Sequence, residues 1–195
     1  MATTTKPSYL GLLNAISLAE SGAGVSLQAW ANATPNDELA DALRFVAARE
    51  TSHGDVFCRR IKELGFDLLQ KPDPGAAERL AKVANPKVSD LEKIGPDRDE
   101  GQDFFGGIEK QLDEGIFDPL TAKLMVWYIG EERDSGKVLN EAYDCVRSMS
   151  NGKSPSAAKA MAPTAPSADA DAMMACMTAG FTRLEKALEK LAKAK

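Results

Sequence analysis

Histidine and cysteine are scarce in this sequence, and their scarcity limits the metal chemistry that the chain can support. There is one histidine, His53, and there are three cysteines, Cys58, Cys145 and Cys176, which lie far apart. Because their number is odd and no C-x-x-C pair occurs, neither a disulfide framework nor a thiolate site for zinc or iron is expected. The expected location is therefore a reducing cytoplasm.

Basic residues are also too few to build a surface for nucleic acid. The net charge is −5 at pH 7, and no basic stripe is available to meet phosphates. The N-terminal segment, residues 1–6, is short and polar. We expect neither a signal peptide nor an apolar run of membrane-spanning length after it. The sequence thus predicts a soluble protein without a nucleic-acid or membrane partner.

Two helices joined by a short turn are predicted in the first part of the chain. Apolar positions in steps of three and four predict helices over 7–33 and 35–64. Thr34 is the expected N-cap of the second helix, Pro35 its first residue, and Gly65 the residue that ends it. A turn this short makes the two helices antiparallel neighbours.

A second pair of helices is predicted after a long connection. Prolines punctuate residues 66–95, where only short helical pieces are expected, and long helices are predicted over 97–114 and 119–149. Gly115 ends the first of these, and Asp118 caps the second. A connection of about thirty residues can cross a bundle, since a helix of ~27 residues spans ~40 Å. The predicted fold is all-α, an antiparallel four-helix bundle with a crossover between its second and third helices.

The end of the chain differs in composition from this predicted bundle, which covers residues 1–149. Residues 150–171 are rich in alanine, proline and serine and are expected to form a flexible linker. Residues 172–195 predict an amphipathic helix, with an apolar seam made by Met177, Phe181, Leu184, Leu188 and Leu191. Such a short seam is marginal alone. The helix is therefore expected to dock on the bundle or to join chains into a homo-oligomer.

Ionisable side chains interrupt the apolar faces of all four predicted long helices. Such groups cost several kcal/mol if they are buried without a partner, so something must satisfy them. The expected ligands of a metal site are Glu20, Glu50, His53, Glu100, Glu131 and Asp134. On the third helix, Asp97 and Asp103 lie one turn from Glu100 and remain alternative ligands. Thirty residues separate the glutamates of the first helix pair and thirty-one those of the second, so the halves repeat one pattern.

The fourth predicted helix has an expected inward face. This face consists of Leu120, Leu124, Trp127, Glu131, Asp134, Val138 and Cys145. The stripe predicts that Glu131 points inward and that Glu132 points outward. Tyr128, one turn before Glu131, either packs in the core or contacts the metal ligands.

Carboxylates and an imidazole on facing helices are donors that two adjacent iron or manganese ions can use. Glu50 and His53 lie three residues apart and therefore share one helical face. In ferritin-like bundles, a Glu from each of two helices and a Glu-x-x-His from each of the other two surround the metal ions. The sequence supplies this arrangement with one histidine instead of two.

On these residues the sequence resembles the ferritin-like superfamily, in particular its rubrerythrin-type branch. The resemblance covers residues 8–149, and the matching residues are Glu20, Glu50-Thr51-Ser52-His53, Glu100 and Glu131-Glu132-Arg133-Asp134. It implies a carboxylate-bridged di-iron centre that oxidises ferrous iron or reduces peroxide or dioxygen. There is no rubredoxin module, so an external electron donor is implied.

The sequence departs from that family at Asp134, which stands where the second motif has histidine. An all-oxygen set at the second ion weakens iron binding there and favours manganese or a single metal. The alternative is a metal-free ferritin-like scaffold. In that scaffold Glu50, His53 and Asp134 form a hydrogen-bonded polar core, and the C-terminal helix acts as an assembly module.

Overall fold

All regular elements in the described part of the structure, a computed structural model covering residues 5–95 and 104–150, are helices. They are α1 (Leu10–Ala33), α2 (Asp37–Glu63), α3 (Ala76–Ala84), α4 (Asp90–Ile94), α5 (Phe104–Asp113) and α6 (Pro119–Ser150). The all-α prediction is therefore confirmed for these residues. Residues 97–103 of the third predicted helix, residues 151–171 of the predicted linker and the predicted helix 172–195 lie outside the described residues.

The turn between α1 and α2 is short, as predicted, but a different residue caps α2. The side chain of Asn36 accepts a hydrogen bond from the backbone N–H of Leu39 at 3.0 Å, which makes Asn36 the N-cap. The prediction for Thr34 and Pro35 was wrong. The backbone of Thr34 ends α1, and its hydroxyl donates to Asp90 Oδ2 at 2.6 Å and accepts from the backbone N–H of Asn36 at 3.1 Å, so it supports the turn and does not cap α2.

Glycines at the contact between α1 and α2 let the two helices approach closely. A β-carbon on Gly24 would collide with Thr51 Oγ1 and lie 3.1 Å from the backbone oxygen of Ala47. A β-carbon on Gly54 would collide with Ser21 Oγ and lie 3.0 Å from the backbone nitrogen of Ser21. Both glycines lie within one or two turns of the ionisable residues of these helices, so the close packing also fixes the spacing of those residues.

We expect Gly54→Ala to lower the free energy of unfolding by about 1–3 kcal/mol, because the added methyl group forces the backbones of α1 and α2 apart. The measurement is urea denaturation. Gly22→Ala is the matched control on α1, where no atom of the described residues lies within 4 Å of the added carbon. The control is expected to stabilise by up to about 1 kcal/mol through helix propensity. Equal stability of Gly54→Ala and wild type would contradict the close contact.

Asp118 joins the start of α6 to both α1 and α2. Its carboxylate accepts from the hydroxyl of Tyr9 at 2.6 Å, from Arg60 Nη2 at 2.9 Å and from the backbone N–H of Leu120 at 3.0 Å. Burial acts to raise the pKa of Asp118, but hydrogen bonds from Thr121, Tyr9 and Arg60 outweigh it and hold that pKa well below its usual range. The predicted N-cap of this helix is confirmed, and α6 runs antiparallel to α2.

We expect Asp118→Ala to lower the free energy of unfolding by about 2–3 kcal/mol, because the helix cap and the charge-assisted bond to Arg60 are lost together. Asp118→Asn keeps the cap and is expected to cost about 1 kcal/mol. Urea titrations between pH 3 and pH 7 test this. Since the pKa of Asp118 is lowered on folding, its contribution is present above the unfolded value and is lost as the pH falls. A wild-type-like Asp118→Ala would contradict the role of this network.

Helix α5 follows the same pattern of short connections. Gly115 takes a positive φ of 67° in the turn before α6, where it was predicted to end the helix. Ile108 of α5 is buried against α6, and Arg133 of α6 forms an ion pair with Glu109 of α5 at 2.9 Å. Helices α3 and α4, in the long connection, contact α1 and α6 respectively.

Two apolar clusters fill the core on either side of a polar layer. The first contains Tyr9, Leu10, Leu13, Ile16, Phe57, Ile61, Ile108, Phe117, Met125, Tyr128 and Ile129. The second contains Trp30, Ala31, Leu39, Leu43 and Val146. Along α1, Glu20 lies between the two clusters, and so do Glu50 and His53 along α2. The polar layer is therefore closed off by apolar side chains at both ends.

The predicted inward face of α6 was wrong by one residue. Leu120 is 63% exposed, whereas its neighbour Thr121 is fully buried. The buried residues of this helix are Thr121, Met125, Tyr128, Ile129, Ser135 and Val146. One residue corresponds to a rotation of about 100° around a helix axis, so this shift changes which acidic side chains face the core.

Among the described helices, α1 is long and apolar enough to cross a membrane, judged by length and composition only. No such run was predicted from the sequence. A core helix of a soluble protein meets the same criterion, and α1 packs its apolar face against α2. The composition of α1 therefore does not decide where the protein resides.

Candidate metal centre

Three carboxylates and one imidazole meet between the two apolar clusters. Glu20 comes from α1, Glu50 and His53 from α2, and Glu132 from α6. One ligand atom of each residue lies within 4.8 Å of the corresponding atoms of the others. We call these four residues the acidic cluster. Three of the six residues predicted as ligands belong to it, together with one that was not predicted.

The two nitrogens of His53 face different groups. Nδ1 lies 3.0 Å from Glu132 Oε1 and 3.6 Å from Glu20 Oε2, inside the acidic cluster. Nε2 lies 3.3 Å from Glu131 Oε2. The rings of Trp127 and Tyr128 pack edge-on against the imidazole, with centroids 4.9 and 5.3 Å away. The ring is fully buried, so these contacts fix its orientation.

Three atoms of the acidic cluster are buried without a hydrogen bond to any described residue: Glu20 Oε2, His53 Nδ1 and Glu132 Oε1. The two carboxylate oxygens lie 3.6 and 3.0 Å from His53 Nδ1, close enough for ion pairs with a protonated imidazole, but no hydrogen bond forms. A buried polar atom without a hydrogen bond costs about 1–3 kcal/mol. A cation between these three atoms would satisfy them together. Oxygen and imidazole donors suit iron or manganese, so the residues present fit a metal ion.

Protons reduce the negative charge of the acidic cluster when no cation is bound. Burial, and the neighbouring Glu20, raise the pKa of Glu50 to about 9. Burial acts to lower the pKa of His53, but the carboxylates of Glu132, Glu20 and Glu131 outweigh it and raise that pKa to about 10. Around neutral pH the cluster therefore carries a neutral carboxyl group on Glu50 and an imidazolium on His53.

Tyr128 orients one carboxylate of the acidic cluster. Its hydroxyl donates a hydrogen bond to Glu20 Oε1 at 2.7 Å. Burial and the charge of Glu20 raise the pKa of Tyr128 far above its ordinary value, so it remains a donor at every physiological pH. Burial alone would raise the pKa of Glu20, but the neighbouring His53, Glu50 and Tyr128 outweigh it and lower that pKa. Both readings left open for Tyr128 are observed, since its ring packs in the first apolar cluster and its hydroxyl contacts an expected ligand.

Glu131 and Asp134 lie outside the acidic cluster. The side chain of Asp134 is 55% exposed and binds Arg49 Nη1 at 2.6 Å. Glu131 is 32% exposed and reaches only the Nε2 side of His53, whereas Glu132 is 17% exposed and points inward. The prediction of Glu131 inward and Glu132 outward was wrong for Glu132. Glu100, with its alternatives Asp97 and Asp103, lies outside the described residues.

The sequence contains a stripe that places Glu132 inward, but the stripe one residue earlier is more hydrophobic and obscures it. Thr121, Met125, Tyr128, Glu132 and Ser135 recur in steps of four and three, with the same spacing as the predicted stripe one residue earlier. The predicted stripe contains leucine and tryptophan and is the more apolar of the two, so it is the one that hydrophobicity predicts to face the core. A Glu-x-x-Ser motif also repeats the spacing of the Glu-x-x-His motif on α2 and is the better counterpart.

Comparisons of the chain with protein-family models, with curated proteins and with solved structures found no match.

Proposed function

We propose that this protein binds a redox-active metal ion, iron or manganese, through Glu20, Glu50, His53 and Glu132. The observation that carries the proposal is a set of three buried atoms without hydrogen bonds: His53 Nδ1, Glu132 Oε1 at 3.0 Å from it, and Glu20 Oε2 at 3.6 Å from it. A protonated His53 forms ion pairs with both carboxylates, but these pairs leave all three atoms without a hydrogen bond. A cation between the three atoms removes the cost of all of them at once.

Each residue has a definite task in this proposal. His53 supplies Nδ1 after losing its proton, while Nε2–H donates to Glu131 and keeps the ring in that tautomer. Glu20 supplies Oε2 because its other oxygen accepts from Tyr128. Glu132 and deprotonated Glu50 complete a set of three carboxylates and one nitrogen. Four protein donors leave positions open on a metal that takes six.

The reaction class that we propose is oxidation of ferrous iron or reduction of peroxide or dioxygen, as the rubrerythrin-type resemblance implies. The bound metal supplies the electron transfer. The protein supplies a site with apolar clusters on both sides, where buried carboxylates stabilise the higher charge of an oxidised ion. The electron donor is an external partner in this proposal.

A ferritin-like four-helix bundle is the architecture that we propose for the region 8–149. Helices α1, α2, α5 and α6 are its members, and α3 and α4 belong to the crossover. The support is the order of connections: three residues join α1 to α2, a long segment separates α2 from α5, and five residues join α5 to α6. Self-association through the predicted C-terminal helix remains part of the proposal.

The competing proposal is a metal-free scaffold. Its support is that protons on Glu50 and His53 already balance the charges of the acidic cluster around neutral pH. Metal analysis of protein purified without chelators separates the two proposals. The metal-binding proposal expects iron or manganese that survives gel filtration and leaves on dialysis against a chelator. Protein that neither retains nor takes up either metal would establish the scaffold instead.

Two substitutions on neighbouring positions of α6 test which residues bind the metal. We expect Glu132→Ala to weaken Mn²⁺ or Fe²⁺ binding by about 100-fold or more, because an inward ligand is removed. We expect Asp134→Ala to leave the affinity within a few-fold of wild type, because Asp134 faces Arg49 and solvent. Isothermal titration with Mn²⁺ measures both. The reverse pattern would mean that the ligands follow the predicted stripe.

A further inference from the structure

Arg49 connects the residues of α6 that point away from the acidic cluster. Its Nη1 lies 2.6 Å from Asp134 Oδ2 and 3.4 Å from Ser135 Oγ, and its Nε lies 4.0 Å from Glu131 Oε2. The guanidinium also packs 4.3 Å from the ring centre of Phe45. Its side chain is 22% exposed, so the cation is largely enclosed by these groups.

The groups around Arg49 include those that the sequence predicts for a second metal ion. Glu131 and Asp134 both direct an oxygen at the guanidinium. Ser135, which matches His53 in the repeated motif, is buried and accepts a hydrogen bond from Arg49. A guanidinium cannot lose its proton in a protein, so its positive charge is permanent and repels a divalent cation.

We propose that the guanidinium of Arg49 takes the place of a second metal ion, so that each chain holds one ion instead of two. This inference rests on the proposed metal-binding function. It adds the number of metal ions per chain and the reason for that number: the guanidinium of Arg49 supplies the positive charge beside Glu131 and Asp134. The hydroxyl of Ser135 leaves a second ion with oxygen donors only, which weakens its binding but does not prevent it.

The same arrangement does not exclude the first ion. Arg49 approaches His53 through Glu131, which lies on the Nε2 side of the imidazole. The acidic cluster gathers on the Nδ1 side of the same ring. The ring of His53 therefore separates the guanidinium from the point where the ion binds.

The experiment compares the full chain with Arg49→Met, Arg49→Lys and Arg44→Met. Arg44, five residues earlier on α2, is half-exposed and pairs with Asp41, so its loss removes the same charge without touching Glu131 or Asp134. Each chelator-treated protein is titrated with Mn²⁺, and bound metal per chain is measured by equilibrium dialysis. Electron paramagnetic resonance then distinguishes isolated Mn²⁺ from a coupled pair. Circular dichroism verifies that each variant is folded.

We expect one Mn²⁺ per chain with the spectrum of an isolated ion for wild type, Arg44→Met and Arg49→Lys. Arg49→Met is expected to bind a second, weaker equivalent. Two ions in the wild type would overturn the proposal, and so would a single ion in folded Arg49→Met. A wild type that binds no metal at all would instead defeat the proposed function, so the two failures are distinguishable.

Discussion

His53→Ala is expected to abolish retention of the metal and to lower the stability of the chelator-treated protein at pH 7 by about 3–5 kcal/mol. The metal loses its nitrogen ligand. In the metal-free protein, the buried carboxylates around His53 lose the imidazolium that balances them. Removing one partner of a buried charge pair costs more than the pair itself contributes, because the remaining charge stays buried.

Urea denaturation and metal analysis measure the two effects of His53→Ala separately. Lowering the pH is expected to restore part of the lost stability, because protons replace the missing positive charge. Asp55→Ala is the matched control, since Asp55 lies two residues further along α2 and is exposed. The control is expected to behave as wild type in both measurements. Retained metal in His53→Ala would remove this residue from the proposed site.

Metal binding around neutral pH is expected to release about two protons per ion, one from Glu50 and one from His53. Their pKa values, raised to about 9 and about 10, mean that both groups hold protons before the metal enters. Both must lose them to act as ligands. Between pH 6 and pH 8 the apparent affinity for Mn²⁺ is therefore expected to rise about 100-fold per pH unit.

Calorimetric titrations in two buffers with different ionisation enthalpies count the released protons. Glu50→Gln is expected to reduce the count to about one and the pH dependence to about tenfold per unit, because glutamine carries no proton to release. Tyr128→Phe, which removes a neighbour that never loses its proton in this range, is expected to keep both protons. Binding without proton release would contradict the charge balance derived for the acidic cluster.

The same protons set the stability of the metal-free protein. Both pKa values are raised on folding, Glu50 from 4.5 and His53 from 6.5, so the folded state holds protons that the unfolded chain gives up. Their contribution to stability is fully present below the unfolded pKa values of 4.5 and 6.5. It is lost as the pH rises toward about 9 and about 10. Bound metal reverses the trend, since metal binding strengthens with pH.

Interactions between neighbouring residues determine where most of the helices begin and end, so the sequence was sufficient to predict most of them. Asp118, Gly65 and Gly115 cap or end helices as predicted, because a carboxylate cap and a positive φ depend on neighbouring residues only. The apolar periodicity of α1 and α2 placed Glu20, Glu50 and His53 inward, where they are found. Helix α2 has one dominant stripe, so its period leaves no choice of face.

The rotation of α6 could not be predicted from the sequence, because the helix carries two stripes of equal period. The stripe with Leu120 and Trp127 is more hydrophobic, but the one with Thr121 and Tyr128 faces the core. Hydrogen bonds of the second stripe decide between them. The hydroxyl of Thr121 donates to Asp118 and accepts from Arg60 Nε, and the hydroxyl of Tyr128 donates to Glu20.

The sequence by itself determined that this chain is helical in its described part and that α1 and α2 bring a histidine among carboxylates. Only the tertiary structure decided that Glu132 joins them and that Asp134 binds Arg49 instead. The physical reason is that a helical period fixes which residues share a face. Which face turns inward depends on hydrogen bonds and packing between residues far apart in the chain.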